Sequence, residues 1–151
     1  MIAAPRRVVT GLDASGRSAV LIDGAARRFA GGGGHYAWRT DAVPADNSAA
    51  ADTAPGDFSY ALFHDGGSNF FTVDLAPGQR SSTHATDTID YIAVLSGEVV
   101  LEVETGEAHL NAGDVLVDRG VVHAWRNDGQ DTARYAVVTV PAAPVGKGRS
   151  V

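Results

Sequence analysis

Two histidines and one aspartate in the second half of the chain have the residue types and the spacing of a metal-binding or acid–base site. Residues two apart on a β-strand share a face, so we expect His84 to point to the same side as Thr86. By the same rule, His123 shares a face with Trp125. If Asp90 faces the same interior, two imidazoles and one carboxylate converge. This is the facial donor set that leaves coordination positions open for substrate, water or O2.

The same three side chains, His84, Asp90 and His123, suit two kinds of chemistry. With a divalent ion, for which Fe, Mn, Zn and Ni are the candidates, the site would polarise a carbonyl or activate a bound water. It would then enolise, hydrate or decarboxylate a small oxygenated molecule. Without an ion, the three side chains would act as general acid and base. The residues leave both alternatives open.

Three further side chains are candidates for contact with a substrate. Thr86 is a poor metal ligand, so we expect it to contact either a ligating side chain or the substrate. Trp125 is expected to form a pocket wall, with packing in the core as the alternative. Tyr91 alternates with Asp90 along its strand, so outward packing competes with a role in substrate binding.

Composition sets the broad class of protein. A length of 151 residues fits one domain, and the absence of cysteine excludes disulfides and Cys-ligated metals. The formal net charge of -6 argues against non-specific binding of nucleic acid. No apolar run approaches the roughly 20 residues of a membrane span, and no signal peptide is apparent. We therefore expect a cytoplasmic protein that binds neither nucleic acid nor membranes.

Short strand patterns, rather than helical ones, must position these residues. Val99, Leu101 and Val103 alternate with mostly acidic side chains, which indicates a strand with one buried face. The expected strands are 18–22, 58–64, 69–75, 90–95, 98–104, 107–110, 114–118, 121–126 and 133–140. Many short strands with glycine-rich turns predict an all-β sandwich or barrel.

The predicted domain organisation has three parts. Residues 1–56 form an N-terminal arm and loop that is partly strand, residues 57–141 form the barrel, and residues 142–151 form a C-terminal tail. The glycines of 31–34 lack the Lys-Ser/Thr of a phosphate-binding loop and are expected to be a linker. The loop 44–56 is expected to be mobile and the tail loosely packed.

The first of two glycine-anchored segments resembles a motif of the cupin superfamily. That motif reads Gly, five residues, His-x-His, three or four residues, Glu, six residues, Gly. Gly78, His84, Asp90 and Gly97 hold the corresponding positions in this chain. Two ligand positions differ, because Thr86 replaces the second His and Asp90 replaces Glu.

The second segment resembles the other cupin motif, which reads Gly, five residues, Pro-x-Gly, two residues, His, three residues, Asn. Gly113, Gly120, His123 and Asn127 match it, with one residue fewer than the pattern before Gly120. The 15 residues between the motifs, 98–112, resemble the short hairpin of bacterial cupins. The strings HATDTIDY and RGVVHAWRN further resemble a subgroup of small cupins found in natural-product or aromatic-compound pathways.

This resemblance implies a single-domain cupin, a jelly-roll-like double-stranded β-helix. It also implies a homodimer in which the N-terminal segment packs on the partner's sheet. The implied function is an enzyme, with a divalent metal, that acts on an oxygenated cyclic or aromatic metabolite as an isomerase, decarboxylase or other lyase. The alternatives are a dioxygenase, a metal-free acid–base enzyme, and a non-catalytic cupin that binds a small ligand.

Overall fold

The computed structural model describes residues 2–49 and 51–151. Within these ranges the chain forms eleven β-strands and one 3-10 turn, at Tyr60–Phe63. The strands are β1 Arg6–Leu12, β2 Ser18–Ala25, β3 Arg27–Arg28, β4 Gly34–Arg39, β5 Asn69–Leu75, β6 Thr88–Ser96, β7 Glu98–Val103, β8 Gly106–Asn111, β9 Val115–Asp118, β10 His123–Arg126 and β11 Ala133–Pro141. In the described ranges no helix has the length and apolar character needed to cross a bilayer.

The strands form a large sheet, a small sheet and a separate hairpin. The large sheet has the order β3-β4-β5-β11-β6-β9, the small sheet has the order β10-β7-β8, and β1 pairs with β2. All of these pairings are antiparallel. The core contains Phe71, Ile92 and Tyr135 from the large sheet and Val99 and Trp125 from the small sheet. The structure confirms the all-β prediction.

Strand β6 shows how alternation assigns side chains to the interior or the exterior. Thr88, Asp90 and Ile92 are buried, whereas the intervening Tyr91 is 50 % exposed. Period-two alternation on a strand that covers a core places every second residue outside. Asp90 is therefore directed into the barrel, and Tyr91 lies on its outer surface.

The strand predicted at 58–64 is wrong, because this segment contains a 3-10 turn. The side-chain oxygen of Ser59 accepts a hydrogen bond from the N–H of Ala61, which caps the turn. The aromatic residues that suggested a strand pack as a cluster instead, with the Phe63 ring stacked on Phe71 and the Phe58 ring edge-on to both. Packing of the aromatic rings thus overrides their strand propensity.

The segments outside the expected barrel are more integrated than their composition suggests. The expected boundary between the N-terminal arm and the barrel at residue 57 stays a prediction. In the structure, β3 and β4, which belong to the expected arm, are hydrogen-bonded members of the large sheet. In the loop 44–56, of which residue 50 lies outside the described residues, Ala54 is buried. The glycine run 31–34 is a turn of a hairpin: it connects β3 to β4.

The tail is also attached to the barrel, so the expectation of loose packing is wrong for its last residues. Ser150 donates its backbone N–H to the carbonyl of Ala85 and accepts a hydrogen bond from the Ala85 N–H on its hydroxyl oxygen, both at 2.9 Å. The N–H of Arg149 donates to the Asp87 carboxylate at 2.8 Å. These bonds fix the tail against the segment that follows His84.

Candidate functional site

A cavity of about 230 Å³ lies between the two sheets. This volume is below the ~300–1,000 Å³ of pockets for drug-sized ligands, so it suits a molecule about the size of a single ring. Most of its walls are aromatic or aliphatic. Its polar and ionisable lining comprises Tyr60, Asp74, Gln79, Ser81, His84, Asp90, Asp118, His123 and Tyr135.

His84 and His123 are joined by the backbone before their side chains interact. The N–H of each residue donates to the carbonyl of the other at 2.9 Å, as an isolated antiparallel bridge. The two imidazole ring centroids are 4.4 Å apart. The segment that carries the first motif is therefore fixed to β10, and both rings face the same cavity.

Each histidine ring is oriented by a backbone carbonyl two residues earlier in the chain. Nδ1 of His84 lies 2.9 Å from the carbonyl oxygen of Ser82, and Nδ1 of His123 lies 2.9 Å from that of Val121. A carbonyl oxygen only accepts hydrogen bonds, so Nδ1 carries the proton in both rings. In a neutral ring the free lone pair is then on Nε2, where it can act as a base or a metal ligand.

Asp118 is a functional candidate that sequence reasoning missed. Its Oδ2 lies 2.9 Å from Nδ1 of His123, and both side chains are almost fully buried. The His123 N–H points at the Val121 carbonyl, so the contact with Asp118 is an ion pair rather than a hydrogen bond. Asp118 ends β9 two residues after the partly buried Leu116, and this alternation is the signal that could have identified it.

The buried pair favours the charged form of both partners. Burial alone would lower the pKa of His123, but the Asp118 carboxylate more than offsets it, so the pKa of His123 is raised. Burial alone would raise the pKa of Asp118, but the His123 ring and two backbone N–H groups leave that pKa lowered. Beside His84, the His123–Asp118 pair therefore favours an imidazolium and a carboxylate. Burial lowers the pKa of His84, which favours its neutral ring.

Asp90 stands opposite Asp118 on the adjacent strand β6. Burial is the main cause that raises the pKa of Asp90 to about 6, and the nearby Asp118 charge adds to it. The Thr88 hydroxyl opposes this shift, since it donates a 2.6 Å hydrogen bond to Asp90 Oδ1. The hydroxyl oxygens of Thr86 and Thr88 are 2.8 Å apart. Thr86 is thus buried behind Asp90 and does not line the cavity.

The predicted metal site, formed by His84, Asp90 and His123, has only part of its geometry in the structure. In the part of the chain that the structure describes, no group of three or more His, Cys, Asp or Glu side chains is arranged to hold an ion. The geometry offers an ion two imidazole Nε2 atoms, while Asp90 is bonded to Thr88. The structure thus brings together two of the three expected donors, and the three-donor site stays a prediction.

Aromatic rings continue the wall on both sides of the two histidines. The Tyr60 ring centroid lies 5.0 Å from that of His84, and Trp125 stands edge-on to His123 at 6.1 Å. Trp125 also stacks on Tyr135, with centroids 4.7 Å apart and planes at 25°. Trp125 thus lines the cavity, as expected for a pocket wall, whereas Tyr91 does not.

Sequence reasoning did not single out Tyr60 or Tyr135, or the turn that carries Gly32 and Gly33 at the edge of the cavity. The tyrosines have no motif spacing relative to the histidines. The glycine turn could have been suspected only from its position between two short strands.

Comparison with known proteins agrees with this architecture. Residues 71–139 match the cupin domain family. The phomopsin biosynthesis cluster protein D of Diaporthe leptostromiformis is 36% identical, over 93% of this chain and 80% of that protein. A cupin-domain-containing oxidoreductase of Neurospora crassa is 35% identical over 45% of this chain and 35% of its own length.

A solved structure from Klebsiella pneumoniae, an uncharacterized conserved protein with a double-stranded β-helix domain, is 28% identical with a TM-score of 0.46. The match covers 50% of this chain and 68% of that one. The domain match and the extended similarity to the phomopsin-cluster protein establish the family. The chain is a member of the cupin family, with its histidine motifs at the wall of the barrel cavity.

Proposed function

We propose that this cupin is an enzyme that transforms a small, oxygenated ring compound by general acid–base catalysis. The observation that carries the proposal is the buried His123–Asp118 ion pair beside His84, in a cavity with aromatic walls. The names of the relatives support a role in the biosynthesis of small molecules. Isomerisation through an enol, or a related lyase reaction, is the reaction type that this site suits best.

The two histidines have complementary roles in this proposal. Environments that separate the pKa values of two neighbouring groups assign one as acid and the other as base. Neutral His84, through Nε2, removes a proton from a carbon beside the substrate carbonyl. Charged His123 donates a proton from Nε2 to the carbonyl oxygen, which gives an enol. His84 then gives its proton to a different carbon while His123 takes back the proton of the enol oxygen, which completes an isomerisation and restores both histidines. Asp118 stabilises the positive charge on His123.

Exchange of carbon-bound protons for deuterium tests this role without knowledge of the natural substrate. We expect the protein, freed of metal with EDTA, to accelerate exchange at the α-carbons of cyclohexanone in D2O, as followed by proton NMR. The variant His84→Gln should lose about 100-fold of this acceleration, the scale of one general base. His109→Gln changes an exposed histidine on β8 and should leave the rate unchanged.

Two results would contradict the acid–base mechanism. One is a metal-free protein that does not exceed the buffer rate, and the other is an unchanged rate in His84→Gln. Exchange regained only with added Fe(II), Mn(II), Zn(II) or Ni(II) would favour the metal-dependent form of the same enzyme. Binding of cyclohexanone without exchange under any of these conditions would favour a non-catalytic binding cupin.

Oxidation is the second candidate function, because four relatives carry the name of a cupin-domain-containing oxidoreductase. His84 presents a free Nε2 lone pair, and His123 would present one once it has lost its Nε2 proton, so that the two rings could together ligate a redox metal such as iron. O2 consumption that depends on both Fe(II) and a ring substrate would favour a dioxygenase over the acid–base enzyme.

We further propose that the protein forms a homodimer through its N-terminal hairpin. Leu12 and Val20 are 64 % and 59 % exposed on β1 and β2, and an isolated two-stranded hairpin is only marginally stable in water. A second copy that packs on this hairpin would cover these side chains. Sedimentation equilibrium should give the mass of a dimer for the wild type. It should give the mass of a monomer for a variant that lacks residues 2–26. A wild-type monomer would contradict the proposal.

A cytoplasmic location stays a prediction.

A further inference from the structure

The hydroxyl group of Tyr135 is a polar group in the cavity that the acid–base mechanism does not use. Tyr135 is only 4 % exposed, and it lines the same cavity as His84 and His123. Among residues 2–49 and 51–151, its hydroxyl has no hydrogen-bond partner, and its oxygen is not fully enclosed, so it is open to the cavity. When a ligand displaces water from this hydroxyl, the lost bond costs free energy unless another group replaces it. A ligand oxygen in the cavity is such a group.

The register of the large sheet separates Tyr135 from Asp90. On β11, Tyr135 pairs with Val94 of β6, whereas Thr139 pairs with Asp90. Four residues along a strand span roughly 13 Å, and Val137 projects inward between the two positions. Tyr135 and Asp90 therefore lie at different heights along the barrel, and an apolar layer lies between them.

Tyr135 is held in place as a hydrogen-bond donor. The Trp125 ring stacks on its ring at 4.7 Å, which restricts the plane of the phenol. Burial raises the pKa of Tyr135, and the neighbouring Tyr60 adds to this effect, so the hydroxyl keeps its proton. A neutral phenol can donate to a carbonyl or hydroxyl oxygen of a ligand.

We propose that Tyr135 is a substrate-contacting residue whose hydroxyl donates a hydrogen bond to a second oxygen of the ring substrate. The substrate class is then a single ring with two oxygen functions, one at the histidines and one at Tyr135. This inference rests on the proposed function, because it takes the reacting oxygen to lie at His84 and His123. Beyond the proposed function, this inference requires a second oxygen on the substrate. A compound with only one oxygen would leave the Tyr135 hydroxyl without a hydrogen-bond partner.

A pair of ketones that differ in one oxygen tests this specificity. The probes are cyclohexane-1,4-dione and cyclohexanone, and binding is followed through the NMR shift of the Trp125 indole N–H in a Trp38→Phe background. We expect the wild-type site to bind the dione about five-fold more tightly, the scale of one net hydrogen bond. The Tyr135→Phe variant should bind the two ketones equally, because only the donor is removed.

Tyr36→Phe is the matched control. Tyr36 also lies on the large sheet, is fully buried and has an unpartnered hydroxyl, but it does not line the cavity. It should therefore keep the five-fold preference. A structural role of the Tyr135 hydroxyl would change the affinity for both ketones together, whereas a substrate contact changes their ratio. Unfolding midpoints of both variants verify that the fold is intact.

The outcomes separate this inference from the proposed function. A preference that survives in Tyr135→Phe, or that is missing in the wild type, overturns the role of Tyr135 even if α-proton exchange is catalysed. A preference that is present and lost in Tyr135→Phe supports the role, and absence of exchange then overturns only the acid–base mechanism. If neither ketone binds to the wild type, both proposals are overturned.

Discussion

Replacing Asp118 with Asn is expected to lower the free energy of unfolding by about 3 kcal/mol at about pH 6, because it leaves one member of a buried ion pair without its partner. The same change should lower the pKa of His123, whose charged form depends on the Asp118 carboxylate. Urea unfolding gives the first quantity, and an NMR titration of the His123 ring gives the second.

The pH dependence of this loss has a definite sign. His123 has a raised pKa in the folded state, so its contribution is complete below its unfolded pKa of about 6.5 and is lost as the pH rises through the folded value. Asp118 has a lowered pKa, so its contribution is present above about 3.9 and is lost as the pH falls through the folded value. The difference between wild type and Asp118→Asn should be largest between these limits.

His109→Gln is the matched control for Asp118→Asn. Nε2 of His109 lies 2.8 Å from the Glu107 carboxylate, a distance similar to that in the buried pair, but both side chains are exposed. Exposed ion pairs contribute little to stability, so the unfolding midpoint should not move. An Asp118→Asn variant as stable as the wild type at every pH, or an unchanged His123 titration, would contradict the role given to the buried pair.

Replacing Gly120 with Ala should lower the free energy of unfolding by about 4 kcal/mol. Gly120 has a φ of +75°, a conformation that costs a residue with a Cβ about 1–2 kcal/mol. The added Cβ would also lie 2.5 Å from the carbonyl oxygen of Thr86 and 3.0 Å from that of Thr88, and backbone at such contacts must shift. Overpacking of this kind costs roughly 1–3 kcal/mol more.

Gly78→Ala separates the cost of the backbone conformation from the cost of the steric contacts. Gly78 has nearly the same φ, +72°, but no atom lies within 4 Å of the Cβ that alanine would add. Urea unfolding should give a loss of about 1–2 kcal/mol for this variant, from the backbone conformation alone. Equal losses in the two variants would show that the approach of Gly120 to the Thr86–Thr88 segment does not constrain the fold.

The part of the site that sequence could predict is the part that local rules determine. His84 and His123 hold motif positions, and alternation places Asp90 inside and Tyr91 outside. Asp118 and Tyr135 obey the same alternation, but many inward residues do. Their roles depend on which side chain from another strand lies opposite them. The ion pair between Asp118 and His123 forms only when β9 and β10 come together at the cavity.

Long-range contacts also explain what composition misjudged. Nothing in the tail sequence indicates that Ser150 bonds to Ala85, which is 65 residues away. The aromatic residues of 58–63 have the composition of a strand, yet Ser59 caps a turn and the rings pack on Phe71 of β5. In both segments, contacts with distant residues determine a conformation that local propensity does not.

The buried carboxylate of Asp90 couples ligand binding to proton exchange with the solvent. A shift in its pKa from 3.8 to about 6 means that, above this pH, holding the ionised form costs on the order of 2–3 kcal/mol. A ligand that donates a hydrogen bond to the carboxylate returns part of that free energy and releases a proton near pH 6. A ligand that presents only acceptors favours the protonated acid and takes a proton up. The measured heat of binding would then vary with the ionisation enthalpy of the buffer, and the sign of that variation would distinguish donor ligands from acceptor ligands.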